Sequence, residues 1–133
     1  MKDLVGPYRI RSVLGHGGMG VVYLGIHDHL GREVAIKALA PELTQHPQFR
    51  ERFFAEARVQ AKLQHTNIVT IYDLIEDAGS YFIVMEYVPG PTLETLLEGG
   101  DGKGWDVDPA LTLFRQILAG LDYAHSKGVI HRD

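Results

Sequence analysis

The chain has 133 residues, of which 45% are hydrophobic and 23% charged, and a formal net charge of −4. This composition is typical of one small globular domain, and the mild acidity without any block of lysine or arginine argues against a nucleic-acid or anionic-membrane surface. Because the chain contains no cysteine and no long apolar run, we exclude a disulfide framework and a thiolate zinc site, and we expect a cytoplasmic piece without a membrane segment.

Five segments have the alternation or the β-branched and aromatic content of β-strands. They are Tyr8 to Gly15, Val21 to Ile26, Glu33 to Leu39, Ile68 to Ile75 and Tyr81 to Val88. A glycine cluster separates the first two segments, and a polar turn separates the second from the third. The pattern therefore predicts a sheet built largely from hairpins, with the glycine cluster at a strand-to-strand turn.

Helical patterns occupy the rest of the chain. Pro41 to His46 predicts a short helical turn, and Gln48 to Leu63 predicts a long helix with an apolar stripe at i, i+4 spacing. Beyond Pro89-Gly90-Pro91 we predict a short helix over Thr92 to Leu97 and a longer one from Asp108 to Ser126. We therefore expect an α+β unit over residues 1–88, followed over residues 89–133 by the beginning of a helical unit.

The glycine cluster Gly15-His16-Gly17-Gly18-Met19-Gly20 has the spacing of several phosphate-binding loops. A strand follows it, whereas a dinucleotide-binding fold needs a helix there, and the lysine of a Walker loop is absent. What remains is a glycine-rich hairpin whose backbone N–H groups can approach phosphate oxygens. For the motif taken alone, a flexible hairpin turn without a ligand is the alternative.

Lys37 and Glu56 are the charged residues that fit such a hairpin. Lys37 shares a strand face with Ala35, from which its ammonium can reach the α- and β-phosphates of a nucleotide. Glu56 borders the apolar stripe of the long predicted helix and can anchor that ammonium. The alternatives are an unpaired surface lysine and a solvated glutamate that pairs along its own helix with Arg52 or Gln60.

Other candidate features point mainly to packing. His27 and His29 share a strand edge without a third metal ligand nearby, which argues against zinc. Trp105 and Tyr123 are interpreted as packing residues. The apolar stripe of the helix from Asp108 to Ser126 is expected to be partly exposed and to promote association.

In order and spacing, these residues resemble the protein kinase family. The elements that carry the resemblance are the glycine loop Gly15–Val22, the strand Val34–Lys37, Glu56, the hinge Val84–Val88 and His131-Arg132-Asp133. The Gly-Gly-Met-Gly form of the loop is most similar to bacterial Hanks-type serine/threonine kinases. The resemblance implies a small lobe with a five-stranded antiparallel sheet and one long helix, followed by the first helices of a helical large lobe.

The resemblance also implies an ATP site and its residues. The implied binding residues are Leu14, Gly15, His16, Gly17, Gly18, Met19, Gly20, Val22, Ala35, Lys37, Val69, Met85, Glu86 and Val88. The implied catalytic residues are Lys37, Glu56 and Asp133: Lys37 would hold the α- and β-phosphates, Glu56 would anchor Lys37, and Asp133 would orient the substrate hydroxyl. Met85 would be the gatekeeper, while the Glu86 carbonyl and the Val88 amide would bond the adenine.

Two departures from the family pattern limit what the chain is expected to do. Gln60 stands where the family usually has an apolar residue, and we expect it to loosen the active arrangement. The catalytic-loop Asn and the Asp-Phe-Gly magnesium site are absent, so Mg²⁺ is expected for the full-length kinase but its ligands are not expected here. We therefore expect the N-terminal part of a kinase that phosphorylates protein Ser/Thr hydroxyls, inactive alone. A stand-alone non-catalytic nucleotide-binding or kinase-interaction module is the alternative.

Overall fold

The computed structural model describes residues 3–100 and 104–130, and the chain divides into two compact units. The first unit consists of the residues up to Gln64 together with Val69–Tyr87. The second consists of His65–Ile68 and the residues from Val88 onward. The chain thus leaves the first unit after Gln64 and returns to it at Val69.

The first unit is built on a six-stranded antiparallel sheet with the strand order β1-β2-β3-β4-β6-β5. The strands are β1 (Leu4–Val5), β2 (Tyr8–Gly17), β3 (Gly20–His27), β4 (Glu33–Ala38), β5 (Ile71–Asp77) and β6 (Ser80–Glu86). All five predicted strands are present, which confirms the α+β class. The additional strand β1 pairs with the beginning of β2 and is too short to show a sequence period.

The beginning of β5 differs from the prediction. The apolar run from Ile68 suggested a strand that starts there, but β5 begins at Ile71. Ile68 belongs to the second unit, and the Thr70 carbonyl accepts a bond of 2.8 Å from the Glu86 amide just before the strand pairing begins. The chain therefore enters the ladder three residues later than its hydrophobicity suggests.

Two helices of the first unit follow β4, namely α1 (Pro41–Thr44) and α2 (Pro47–Ala61). Each begins with a proline, whose missing N–H is no loss in a first helical turn. Of the predicted i, i+4 stripe of Phe49, Phe53, Ala57 and Ala61, Phe53 and Ala57 are buried, whereas Phe49 is half-buried and Ala61 is exposed. The stripe fixes which side of α2 packs, and so which side chains lie at its borders.

Alternate residues of the central strands bury two clusters. One cluster consists of Val5, Tyr8, Val34, Ile36, Phe82 and Val84. The other consists of Leu39, Phe53, Ala57 and Ile83, so it joins α2 to the sheet. Because side chains alternate across a strand, β4 and β6 contribute to both faces of the sheet.

The second unit contains α3 (Leu93–Glu98) and α4 (Val107–Ser126). Thr92 caps α3, with its hydroxyl accepting from the Thr95 amide at 3.1 Å. Helix α4 begins one residue before the predicted start, with Asp106 as the N-cap residue, and the positive φ of 76° at Gly128 follows its end. Within this unit, the Asn67 side chain donates to the Gln116 carbonyl at 2.9 Å.

Much of the apolar stripe of α4 is exposed, as expected from the sequence. The exposed side chains are Leu111, Phe114, Ile117, Leu118 and Leu121, while Ala124 is buried. Within residues 3–100 and 104–130, no helix is both long and apolar enough to cross a membrane.

Candidate functional site

The glycine cluster forms the tip of the β2–β3 hairpin. Gly15 pairs with Val22, and Gly17 pairs with Gly20, which leaves Gly18 and Met19 at the turn. A Cβ atom added at Gly15 or Gly18 would meet nothing within 4 Å. The hairpin therefore has open space beside these two glycines.

Gly20 has a packing reason that sequence reasoning missed. A Cβ atom at this position would overlap the carbonyl oxygen of Ala38 and would lie 2.9 Å from the Ala40 nitrogen. The close approach lets the Ala40 amide donate to the Met19 carbonyl at 2.7 Å, and the Met19 side chain packs against the cluster that contains Phe53. The hairpin tip is thus fixed to the end of β4, and Gly20 permits that contact.

The strand register places the predicted pocket residues on one face of the sheet. Val22 lies opposite Lys37, and Ala35 lies opposite Met85. Directly opposed residues in an antiparallel pair point to the same side, and Ala35 and Lys37 are two residues apart on β4. These four side chains therefore share the face that also carries α2. Leu14 precedes the hairpin tip and is exposed, as is His16.

Lys37 and Glu56 are brought together on this face. The Lys37 Nζ lies 3.1 Å from the Glu56 Oε1, although the residues are nineteen positions apart. The Lys37 side chain is 23% exposed and that of Glu56 is 48% exposed, so the pair lies at the surface of the unit. Glu56 therefore pairs across the helix–sheet boundary, as anticipated from the sequence.

Hydrogen bonds hold the two residues that precede β5, Val69 and Thr70. The Gln60 side-chain amide donates to the Val69 carbonyl at 3.1 Å, and this bond is partly buried. Thr70 exchanges two bonds with Glu86: its amide donates to the carboxylate at 3.1 Å, and its carbonyl accepts from the Glu86 amide at 2.8 Å. Sequence reasoning missed these contacts, because no motif marks a carbonyl that needs a donor.

Two predicted site residues do not belong to the described part of the first unit. Val88 belongs to the second unit and is 59% exposed, while Asp133 lies outside the described residues. In the part of the chain that the structure describes, no three or more His, Asp or Glu side chains form a group that could hold a metal ion. His27 instead accepts the backbone N–H groups of His29 and Leu30 at its Nδ1.

Comparisons with known proteins identify the family of the chain. The family model described as "Protein kinase domain" matches residues 8–133. The chain is 42% identical over 134 residues to the serine/threonine-protein kinase PksC of Streptomyces coelicolor, covering 96% of this chain and 24% of that protein. It is 41% identical over 132 residues to PrkC of Bacillus subtilis, covering 99% of this chain and 20% of that protein.

A solved structure shows the same fold. The crystal structure of the Mycobacterium tuberculosis PknI kinase domain matches with a TM-score of 0.81 and 31% identity, covering all of this chain and 54% of that one. The chain thus spans about half of that kinase domain and about a quarter or less of the curated relatives. The chain belongs to the protein kinase family.

Proposed function

We propose that the first unit binds ATP, and that this chain contributes to an ATP-dependent serine/threonine protein kinase. The activity would transfer the γ-phosphoryl group of ATP to Ser or Thr hydroxyls of a protein substrate. The single observation that carries the proposal is the Lys37–Glu56 contact of 3.1 Å on the sheet face next to the glycine hairpin. The names of the bacterial relatives, both serine/threonine-protein kinases, support Ser/Thr rather than Tyr as the acceptor.

The phosphates are proposed to lie between the hairpin and Lys37. An ammonium has three N–H donors, and Glu56 accepts one of them, which leaves donors for the oxygens of the α- and β-phosphates. Charge-assisted bonds of this kind are roughly twice as strong as neutral ones. Gly15, Gly17 and Gly18 would add backbone N–H groups without side-chain interference, while His16 and Met19 complete the loop.

The adenine is proposed to pack on the apolar part of the same face. Val22 and Ala35 would cover one side of the ring, with Leu14 and Val69 at its edges. Met85 would limit the depth of the pocket as gatekeeper. The main-chain carbonyl of Glu86 and the amide of Val88 would bond the adenine rim, so that the base is read by backbone groups.

The chemical step would depend on positioning and charge rather than covalent catalysis. Asp133 is proposed to orient the acceptor hydroxyl. Mg²⁺, when bound in the full-length kinase, would neutralise phosphate charge, but the described residues form no group that fits it, and we assign it no ligands. Use of ATP is consistent with the cytoplasmic location that we expect from the sequence.

Hydrogen exchange with and without ATP tests the proposed site. We expect ATP to slow exchange at the amides of the glycine hairpin and of residues 86–88, with adenosine affecting only the latter. ATP-dependent protection that is absent, or that is confined to α3 and α4, would contradict the proposal. A phosphorylation assay tests the expected inactivity of the 133-residue chain, which should show no turnover alone. Turnover that disappears in Asp133→Asn would overturn that expectation.

A further inference from the structure

We propose that Gln60 is a positioning residue for the nucleotide site. Its side-chain amide holds the end of α2 to Val69 and thereby keeps Glu56 within reach of Lys37. The proposal rests on the proposed function only in assigning nucleotide phosphates to Lys37. It reverses the expectation that a polar side chain at this position loosens the site.

The position of Gln60 on α2 links it to Glu56. The two residues are four apart, so they lie about one helical turn from each other on the same side of the helix. Gln60 lies in the last turn of α2, which ends at Ala61. Its Nε2 donates to the Val69 carbonyl at 3.1 Å in a partly buried bond. A displacement of this last turn would therefore also displace Glu56.

The Gln60–Val69 hydrogen bond connects the end of α2 to the residue at which the chain re-enters the first unit. The chain leaves this unit after Gln64 and returns at Val69, because His65–Ile68 belong to the second unit. The Gln60–Val69 bond makes that connection directly, between the last turn of the helix and the first returning residue.

The returning segment is itself fixed to the predicted hinge. Thr70 is bonded to Glu86 through both its amide, at 3.1 Å, and its carbonyl, at 2.8 Å. A continuous path therefore runs from Lys37 through Glu56 and Gln60 to this segment and on to Glu86. One end of the path holds the proposed phosphate ligand, and the other carries the proposed adenine contact.

The Lys37–Glu56 pair needs such support because it is weak by itself. The Glu56 side chain is 48% exposed, and exposed ion pairs contribute little to holding two long side chains in one geometry. A hydrogen bond in a partly buried site contributes more, and its loss leaves a carbonyl without its partner. We therefore expect removal of the Gln60 donor to release α2 without unfolding the unit.

Gln60→Met tests the proposal because it keeps the side-chain length and removes the donor. Gln48→Met is the matched control, since Gln48 is an exposed residue in the first turn of the same helix. Without nucleotide, amide exchange in the last turn of α2 and at Thr70 should be about threefold to tenfold faster in Gln60→Met and unchanged in Gln48→Met.

Nucleotide titration separates a positioning role from a general loss of stability. In Gln60→Met, the affinity for ATP should fall about threefold to tenfold while that for adenosine stays unchanged. Glu56→Gln should weaken ATP binding less in the Gln60→Met background than in the wild-type chain, because the two changes act through one contact.

The outcomes distinguish this proposal from the proposed function. Equal exchange rates in Gln60→Met and Gln48→Met, or strictly additive effects of Gln60→Met and Glu56→Gln on ATP affinity, would overturn the role of Gln60. A wild-type chain that binds ATP no more tightly than adenosine would instead contradict the phosphate role of Lys37. In that case the exchange rates alone decide whether Gln60 holds α2.

Discussion

Lys37 in β4 and Glu56 in α2 are nineteen residues apart in sequence, and their Nζ and Oε1 atoms are 3.1 Å apart. The contact connects the sheet to the one long helix of the first unit. Because nearly half of the Glu56 side chain is exposed, water screens the pair, and its contribution to folding is small. Its effect should instead appear where the lysine meets a second, multiply charged group.

Glu56→Gln should therefore separate stability from nucleotide binding. We expect the free energy of unfolding to change by less than about 1 kcal/mol and ATP affinity to fall about threefold to tenfold, because the ammonium is no longer held by a charge. Urea unfolding and nucleotide titration measure the two quantities. Glu51→Gln, an exposed change on the same helix, should alter neither. Loss of several kcal/mol of stability in Glu56→Gln would show that the pair is structural.

Gly20→Ala should destabilise the first unit, because the new methyl group would overlap the Ala38 carbonyl oxygen. We expect a loss of about 2 kcal/mol or more, the range of changes that force a backbone shift. Gly18→Ala is the matched control, since a Cβ atom there meets nothing within 4 Å. Urea unfolding followed by far-ultraviolet circular dichroism measures both variants. Equal stability of the two variants would refute the packing role of Gly20.

The exposed face of α4 should make the 133-residue chain self-associate. Phe114 is 55% exposed and Leu118 is 47% exposed, and contiguous exposed apolar side chains favour association. The double change Phe114→Glu and Leu118→Glu should shift the chain toward monomer in sedimentation velocity. Thr112→Glu with Gln116→Glu adds the same charge at other exposed positions of the helix and should leave association unchanged. Equal effects of the two double variants would mean that charge alone, and not this face, controls association.

The sequence was sufficient for the features that depend on local pattern. Alternation or β-branched and aromatic content predicted the five longer strands, and the i, i+4 stripe predicted the burial of Phe53 and Ala57 in α2. The pairing of Lys37 with Glu56 was predicted from the order and spacing of the motifs in which the two residues lie. These features are local or belong to a recognisable pattern.

The features that sequence could not supply depend on single backbone atoms. In the sequence, Gln60 is notable only as a polar residue at a usually apolar position, and nothing there shows that its side chain donates to the Val69 carbonyl. The apolar run predicted a strand that begins at Ile68, which is wrong, because Ile68 belongs to the second unit. The close approach of Gly20 to Ala38 also cannot be predicted from the sequence, because the glycine spacing indicates only a phosphate-binding loop.

The most direct test of the central claim is the ratio of ATP affinity to adenosine affinity in three forms of the 133-residue chain: wild type, Lys37→Met and Lys62→Met. Lys62 is an exposed lysine at the end of α2. We predict that Lys37→Met lowers the ATP affinity about tenfold to a hundredfold and leaves the adenosine affinity unchanged, because the lost bond is charge-assisted. Lys62→Met should match the wild type. An unchanged ratio in Lys37→Met would contradict the assignment of Lys37 as the phosphate ligand.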